Sequence, residues 1–291
     1  MKKFISILFS LVLIGALLFS GFKVEQILNG YRIQKEKQTE VSQEVRKGRD
    51  VDFKSLIERN SDVKGWIYVK DTQIDYPIVQ AEETDFYLHR DIDKNYLYDG
   101  SIFIDSEVER PFKDFNTVIY GHHMFSGAMF CHLEKFADEK FFNEHKTIII
   151  ETPEKSYDLH VIAFLNEPAD SELYTTYFSD IMEETILNDE DEEIWFTRQD
   201  FVDLIKDKAQ NLSDEEFTTD DNFVTLSTCA YNYDGARHQV IGILKEPALE
   251  DKTTIIETDK PFINIWLAAQ IGVGLIMALA VIMLFPKKRK K

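Results

Sequence analysis

Two side-chain types in this chain can carry acyl-transfer chemistry between them, a thiol and an imidazole. Cys229 closes the run Thr225-Leu226-Ser227-Thr228-Cys229 and follows the strand-like stretch 223–226, so it falls at or just past a strand end. A thiol attacks as the thiolate, and free cysteine is mostly protonated near neutral pH, so it needs a cation or a base beside it. His122 and His123 follow a second strand-like run, Asn116 to Tyr120, with Gly121 supplying a tight exit. A histidine at one strand end and a cysteine at another can meet where the two strands are neighbours, as a Cys/His pair requires. Arg237 lies eight residues beyond Cys229 and opens a further strand-like run through Leu244. Asp234-Gly235 between them is a turn signal, and a hairpin-like loop would return Arg237 to the cysteine. An arginine cannot act as a general base, but it can donate to a developing oxyanion or hold a substrate carbonyl.

Taken singly, these residues have plainer readings. A lone histidine is usually structural, and Arg237 can be a surface arginine paired with a carboxylate. Cys131, the other cysteine, reads as a small buried hydrophobe. A disulfide between Cys131 and Cys229 would consume the nucleophile and is not expected. No metal and no cofactor is expected either.

The elements that must position this trio are short strands. GWIYV at 65–69 and TQIDYPIV at 72–79 are rich in β-branched and aromatic residues. Further strands are expected at 101–104, 117–121, 147–151, 158–165, 223–227 and 239–244, about eight in all, which suggests a barrel or sandwich. Helices are expected at 51–60, where Phe53, Leu56 and Ile57 recur at helical spacing, and briefly at 139–145. A third, 197–210, places Phe201, Leu204 and Ile205 on one face behind Thr197 as N-cap. The acidic run 188–193 reads as a solvated loop and not a calcium site, since no EF-hand spacing is present.

The ends of the chain differ from its middle. Residues 4–22 and 262–285 are apolar runs without a charge, each long enough to approach or span a bilayer. No clear small-x-small cleavage site follows the first, which favours an anchor over a cleaved signal peptide. The second stops at Pro286 and the cluster KKRKK, with Trp266 near its other end. Seven of the 33 basic residues lie at the two ends, and all 52 acidic residues lie in 23–261. The positive-inside rule therefore puts both termini in the cytoplasm and the middle outside the cell. The net charge of -19 argues against a nucleic-acid partner. The organisation read from this is an anchor (1–22), a helical stalk (23–50), a catalytic domain (51–247), a linker (248–261), a second membrane helix (262–285) and a basic tail (286–291).

The order His…Cys…Arg, each beside a strand, resembles the sortase family. YGHHM at 120–124, TLSTC at 225–229 and Arg237 carry the likeness, and TLSTC, which fits the family's TLxTC motif, is its specific part. The run 61–80 is also similar to the family's early strands, and the resemblance covers about 53–246. It implies a mainly β, eight-stranded sortase barrel with N-terminal helices and a helix inserted ahead of the cysteine-bearing strand. The helix at 197–210 and the helical 41–60 look most like class B. The Asp-Pro-aromatic lid motif of pilus-building class C enzymes is absent, although a C-terminal membrane anchor is frequent there, and the His-His-Met form resembles class B-like members that build pili.

The resemblance implies that Cys229 attacks the Thr carbonyl of a C-terminal sorting signal of the Asn-Pro-x-Thr-Gly or Leu-Pro-x-Thr-Gly sort. His122 is the catalytic histidine, His123 a structural neighbour, and Arg237 the oxyanion and substrate clamp. Leu88, Ser227 and Thr228 would line the signal-binding groove. The acceptor would be lipid II or a cell-wall peptide for anchoring, or a pilin lysine for polymerisation. Alternatives are a membrane-tethered cysteine peptidase, disfavoured in its papain-like form because that order is Cys before His, and a non-enzymatic adhesin or sensor.

Overall fold

A computed structural model of the chain describes residues 13–23, 25–26, 46–47, 50–124, 126–176, 186–187, 193–194, 196–229 and 235–247. The linker 248–261, the second apolar run 262–285, the basic tail and nearly all of the acidic run 188–193 lie outside the described residues. So does most of the stalk. Within the first apolar run, residues 13–23 are helical. Among the described residues, no helix is long and apolar enough to cross a membrane. The stalk does not end as the helix its composition suggests, because Arg46–Lys47 pairs antiparallel with Asp50–Val51.

Helix α1 then runs Phe53–Arg59. Asp52 starts it, its carboxylate accepting the backbone N–H of Ser55, and Leu56 is the side chain it buries. Eight strands follow: β1 Val63–Tyr68, β2 Asp75–Val79, β3 Ile102–Ile104, β4 Asn116–Tyr120, β5 Thr147–Glu151, β6 Ser156–Pro168, β7 Phe223–Cys229 and β8 Ala236–Lys245. Their order in the sheet is β6-β8-β7-β4-β3-β2-β1-β5, with the two-residue strand Asn211–Leu212 added on the second half of β6, and β5 pairs back onto the first half of β6, so the sheet closes into a barrel. Closure pairs the outer edges that an open sheet would leave bare. Two neighbours are parallel, β2 with β3 and β4 with β7; the other pairs are antiparallel.

The pleat sorts side chains between two cores. Val224 and Leu226 of β7 and Val240 of β8 fill the barrel with Ile119, Leu159 and Phe164. Phe223, Ile241 and Ile243 face outward into a second cluster. A register shift between Ile241 and Gly242 pairs them with Ala163 and Val161, leaving Ile162 as the extra residue. That bulge lets Ile162 and Ala163 both join the outer cluster. The outer cluster is covered by α3, Arg198–Lys208, which buries Phe201, Val202 and Ile205. Thr197 and Asp200 form a reciprocal capping box at its start. The smaller α2, Glu139–Glu144, is capped by Asp138 and buries Phe142. The inserted helix and all eight strands expected from the sequence are present.

Candidate active site

The parallel pairing of β4 with β7 decides where the chemistry lies. Ser227 sits in register with Tyr120, and the Gly121 N–H donates to the Ser227 carbonyl at 3.1 Å. Parallel neighbours end on the same side, so His122 leaves β4 beside the point where β7 delivers Cys229. Asn116 reinforces this pairing at its far end, where its side-chain carbonyl accepts the Thr225 hydroxyl at 3.0 Å. Gly121 is required by packing: a Cβ there would lie 2.5 Å from Ile102 Cδ1 and 2.8 Å from the Phe130 ring. The cross-strand pairing of β7 with β8 supplies the third residue. Arg237 is the direct antiparallel partner of Cys229. Residues 230–234 of the expected hairpin lie outside the described residues, but Gly235 has φ +75, as such a turn needs.

His122 is half-buried, and its Nε2–H donates to the Leu88 carbonyl at 2.9 Å. A carbonyl can only accept, so in the neutral ring the proton sits on Nε2 and Nδ1 keeps the lone pair for proton transfer. Burial holds its pKa below the usual histidine value; the Leu88 bond pulls the other way, and nearby His89 adds to the lowering. The His89 ring stacks on His122 at 5.3 Å and on Tyr98 at 5.8 Å. Arg237 bonds only locally, to the carbonyls of Ala236 at 3.0 Å and Gly235 at 3.4 Å. Among the described residues it has no carboxylate partner, unlike the paired surface arginine that was its plainer reading.

His123 points elsewhere. Its Nε2 meets Glu134 Oε2 at 3.0 Å, and Cys131 lies beside it. Burial opposes its charge, but those two partners overcome this and push it up to about 10. Cys131 is free and buried, as expected, so no disulfide consumes Cys229. It is nevertheless more than a hydrophobe, since it lies among polar partners.

The three residues expected in the signal groove are placed differently from one another. Leu88 reaches the site through its main-chain carbonyl. Ser227 and Thr228 are 1% and 2% exposed, and the Ser227 hydroxyl bonds Tyr174 at 2.7 Å. Their hydroxyls serve packing here and are not presented to an open groove. The strand's alternation could have flagged Thr228, because it shares the inward parity of Val224 and Leu226. Sequence reasoning missed His89, Tyr98 and Tyr174, whose placement depends on loops brought in from elsewhere in the chain.

The model of the sortase domain matches residues 67–244, well over half of the chain. The chain belongs to the sortase family. It is 30% identical over 241 residues to sortase B of Listeria monocytogenes, covering 78% of this chain and 91% of that one. To sortase B of Staphylococcus aureus it is 29% identical over 253 residues, covering 84% and 97%. The crystal structure of the Staphylococcus aureus enzyme superposes with a TM-score of 0.60 at 29% identity, covering 75% of this chain and 98% of that one. This is thus a class B sortase, a cysteine transpeptidase built on the family's closed eight-stranded barrel. One related structure is described as a Staphylococcus aureus sortase B–substrate complex. The ends of β4, β7 and β8 bring the backbone positions of His122, Cys229 and Arg237 to one edge of the barrel.

Proposed function

We propose that this sortase cleaves a C-terminal sorting signal of the Asn-Pro-x-Thr-Gly or Leu-Pro-x-Thr-Gly type and transfers the new carboxyl end to an amine. The observation that carries this reading is the register of Cys229 opposite Arg237, beside the strand exit that holds His122. Cys229 gives its proton to His122 and attacks the Thr carbonyl, and Arg237 donates to the oxyanion that forms. The Thr–Gly bond breaks, His122 protonates the departing amine, and a thioester remains. An incoming amine then attacks that thioester and regenerates the thiol, which divides one difficult amide exchange into two easier steps. Lipid II, a cell-wall peptide or a pilin lysine has the required amine.

The same reading places the catalytic domain outside the cell, anchored at both ends with both termini cytoplasmic. In its favour, the helical stretch 13–23 leaves Ile14, Leu18, Phe19 and Phe22 exposed, an apolar surface suited to lipid. The tether would hold enzyme and membrane-bound substrate at one surface and raise their effective concentration. The test is incubation with a panel of sorting-signal peptides and amines, with products read by mass. Cleavage between Thr and Gly with amine incorporation is expected. Cleavage at another bond, or hydrolysis alone whatever the amine, would favour the peptidase alternative. A C-terminal tag found outside the cell would overturn the topology.

A further inference from the structure

Beside the strand exit that carries His122 lies a second group of chemistry-bearing side chains that the transpeptidase reaction does not use. One ligating atom each from His123, Cys131 and Glu134 lies within 4.8 Å of the other two. His123 leaves β4, whereas Cys131 and Glu134 come from the 3-10 turn Cys131–Ala137. The ring of His238 belongs to the same neighbourhood, since its charge acts on both His123 and Glu134. It faces the barrel core, 5.4 Å from the Phe164 ring. Its Nδ1 is buried and has no hydrogen-bond partner among the described residues.

We infer that His123, Cys131 and Glu134 bind a thiophilic divalent transition-metal ion of the zinc class. The donor types are those zinc prefers, a thiolate, an imidazole and a carboxylate, whose bonds to the metal run at about 2.0–2.3 Å. Calcium and magnesium favour all-oxygen shells and do not match this set. One further observation points to an ion. The orphaned His238 nitrogen is the kind of buried polar atom that a bound ion or water satisfies. The site lies one residue from two catalytic positions, because His123 follows His122 and His238 follows Arg237. An ion here would tie the exit of β4 to the 131–137 turn, fixing the backbone that carries His122.

The experiment uses the full-length chain carrying Cys229→Ala, so that Cys131 is its only thiol, titrated with cobalt(II). One equivalent should bind with a thiolate-to-cobalt charge-transfer band in the near ultraviolet, and zinc should displace it. Cobalt held only by acidic surface loops gives no such band, and that result overturns the proposal. Adding His123→Gln should abolish the band. Adding Glu134→Gln should weaken binding by about tenfold or more, the scale of losing even a supporting contact. Glu134 is exposed, with 48% of its side chain accessible, so its substitution leaves a folded protein even where His123→Gln does not. A thiolate band whose affinity is unchanged in Glu134→Gln would assign the ion to other ligands and sink the proposal.

Discussion

His122 and His123 are consecutive in sequence and opposite in circumstance. His122 gives Nε2–H to the Leu88 carbonyl, stacks on another histidine and is held below the usual histidine range. His123 turns toward Glu134 and Cys131 and is pushed up to about 10. The two cysteines divide in the same way. Cys229 stands at the end of β7 opposite an arginine without a carboxylate partner among the described residues, whereas Cys131 is buried beside a histidine and a glutamate. The roles proposed for them differ accordingly, one constellation to react and the other to be held. Residue type is the same in both, so the role is set by what each environment does to charge.

The largest effect that separates the two regions is at the thiols. Cys229→Ala is expected to abolish peptide cleavage and amine transfer, with an unchanged circular dichroism spectrum. Cys131→Ser should still accumulate the thioacyl enzyme, detectable as a mass adduct. Turnover by Cys229→Ala, or no adduct in a folded Cys131→Ser, would reverse the assignment. Next in size is the guanidinium. Arg237→Ala should lower kcat/KM by about 10²–10³-fold, as removal of an oxyanion donor does. Arg237→Lys should recover only part of that, since the planar fork is lost. A wild-type rate in Arg237→Ala would remove the residue from the reactive region.

A third environment sharpens the comparison without belonging to either cluster. Asp99 is 7% exposed, and its Oδ2 has no hydrogen-bond partner among the described residues. Burial pushes its carboxyl up to about 6. Because the folded value lies above the unfolded one, its favourable contribution is complete below the ordinary value of 3.8 and is lost as pH rises through about 6. Asp99→Asn should therefore stabilise the protein by about 1–3 kcal/mol at neutral pH. The gain should vanish below pH about 4 in urea denaturation, and a gain independent of pH would show that charge burial is not its cause. The smallest effect lies on the outer face of β7. Tyr174→Phe and Ser227→Ala should each cost about 1 kcal/mol for the hydroxyl pair, and the double variant should cost less than their sum.

Much of the barrel was legible because its strands declare themselves locally. Ile102–Ile104 and Thr147–Glu151 are runs of β-branched and aromatic residues between turns, and Thr197 with Asp200 marks the start of α3 without any tertiary information. The strand-end positions of Cys229, His122 and Arg237, the proposed trio, were legible through TLSTC and the strand exits. Less legible was how the trio meets. The parallel pairing of β4 with β7 joins segments more than a hundred residues apart, and no local pattern encodes it. Cys131 looked like an ordinary apolar filler because its partners come from another strand exit and from the far side of its own turn. Ser227 and Thr228 were assigned to a groove by likeness, while the pleat and Tyr174 turned them into packing.

The β4–β7 pairing also has a consequence for when this enzyme becomes active. Strand β7 has to slot between β4 and β8, so nearly all of the catalytic domain must be present before Cys229 acquires its neighbours. Such long-range parallel contacts carry a large loop-closure entropy and form slowly. A chain still emerging or only partly folded would carry its thiol with neither His122 nor Arg237 in place. Completion of the barrel acts as a checkpoint in time, withholding reactivity from the cysteine until the rest of the fold is there to direct it.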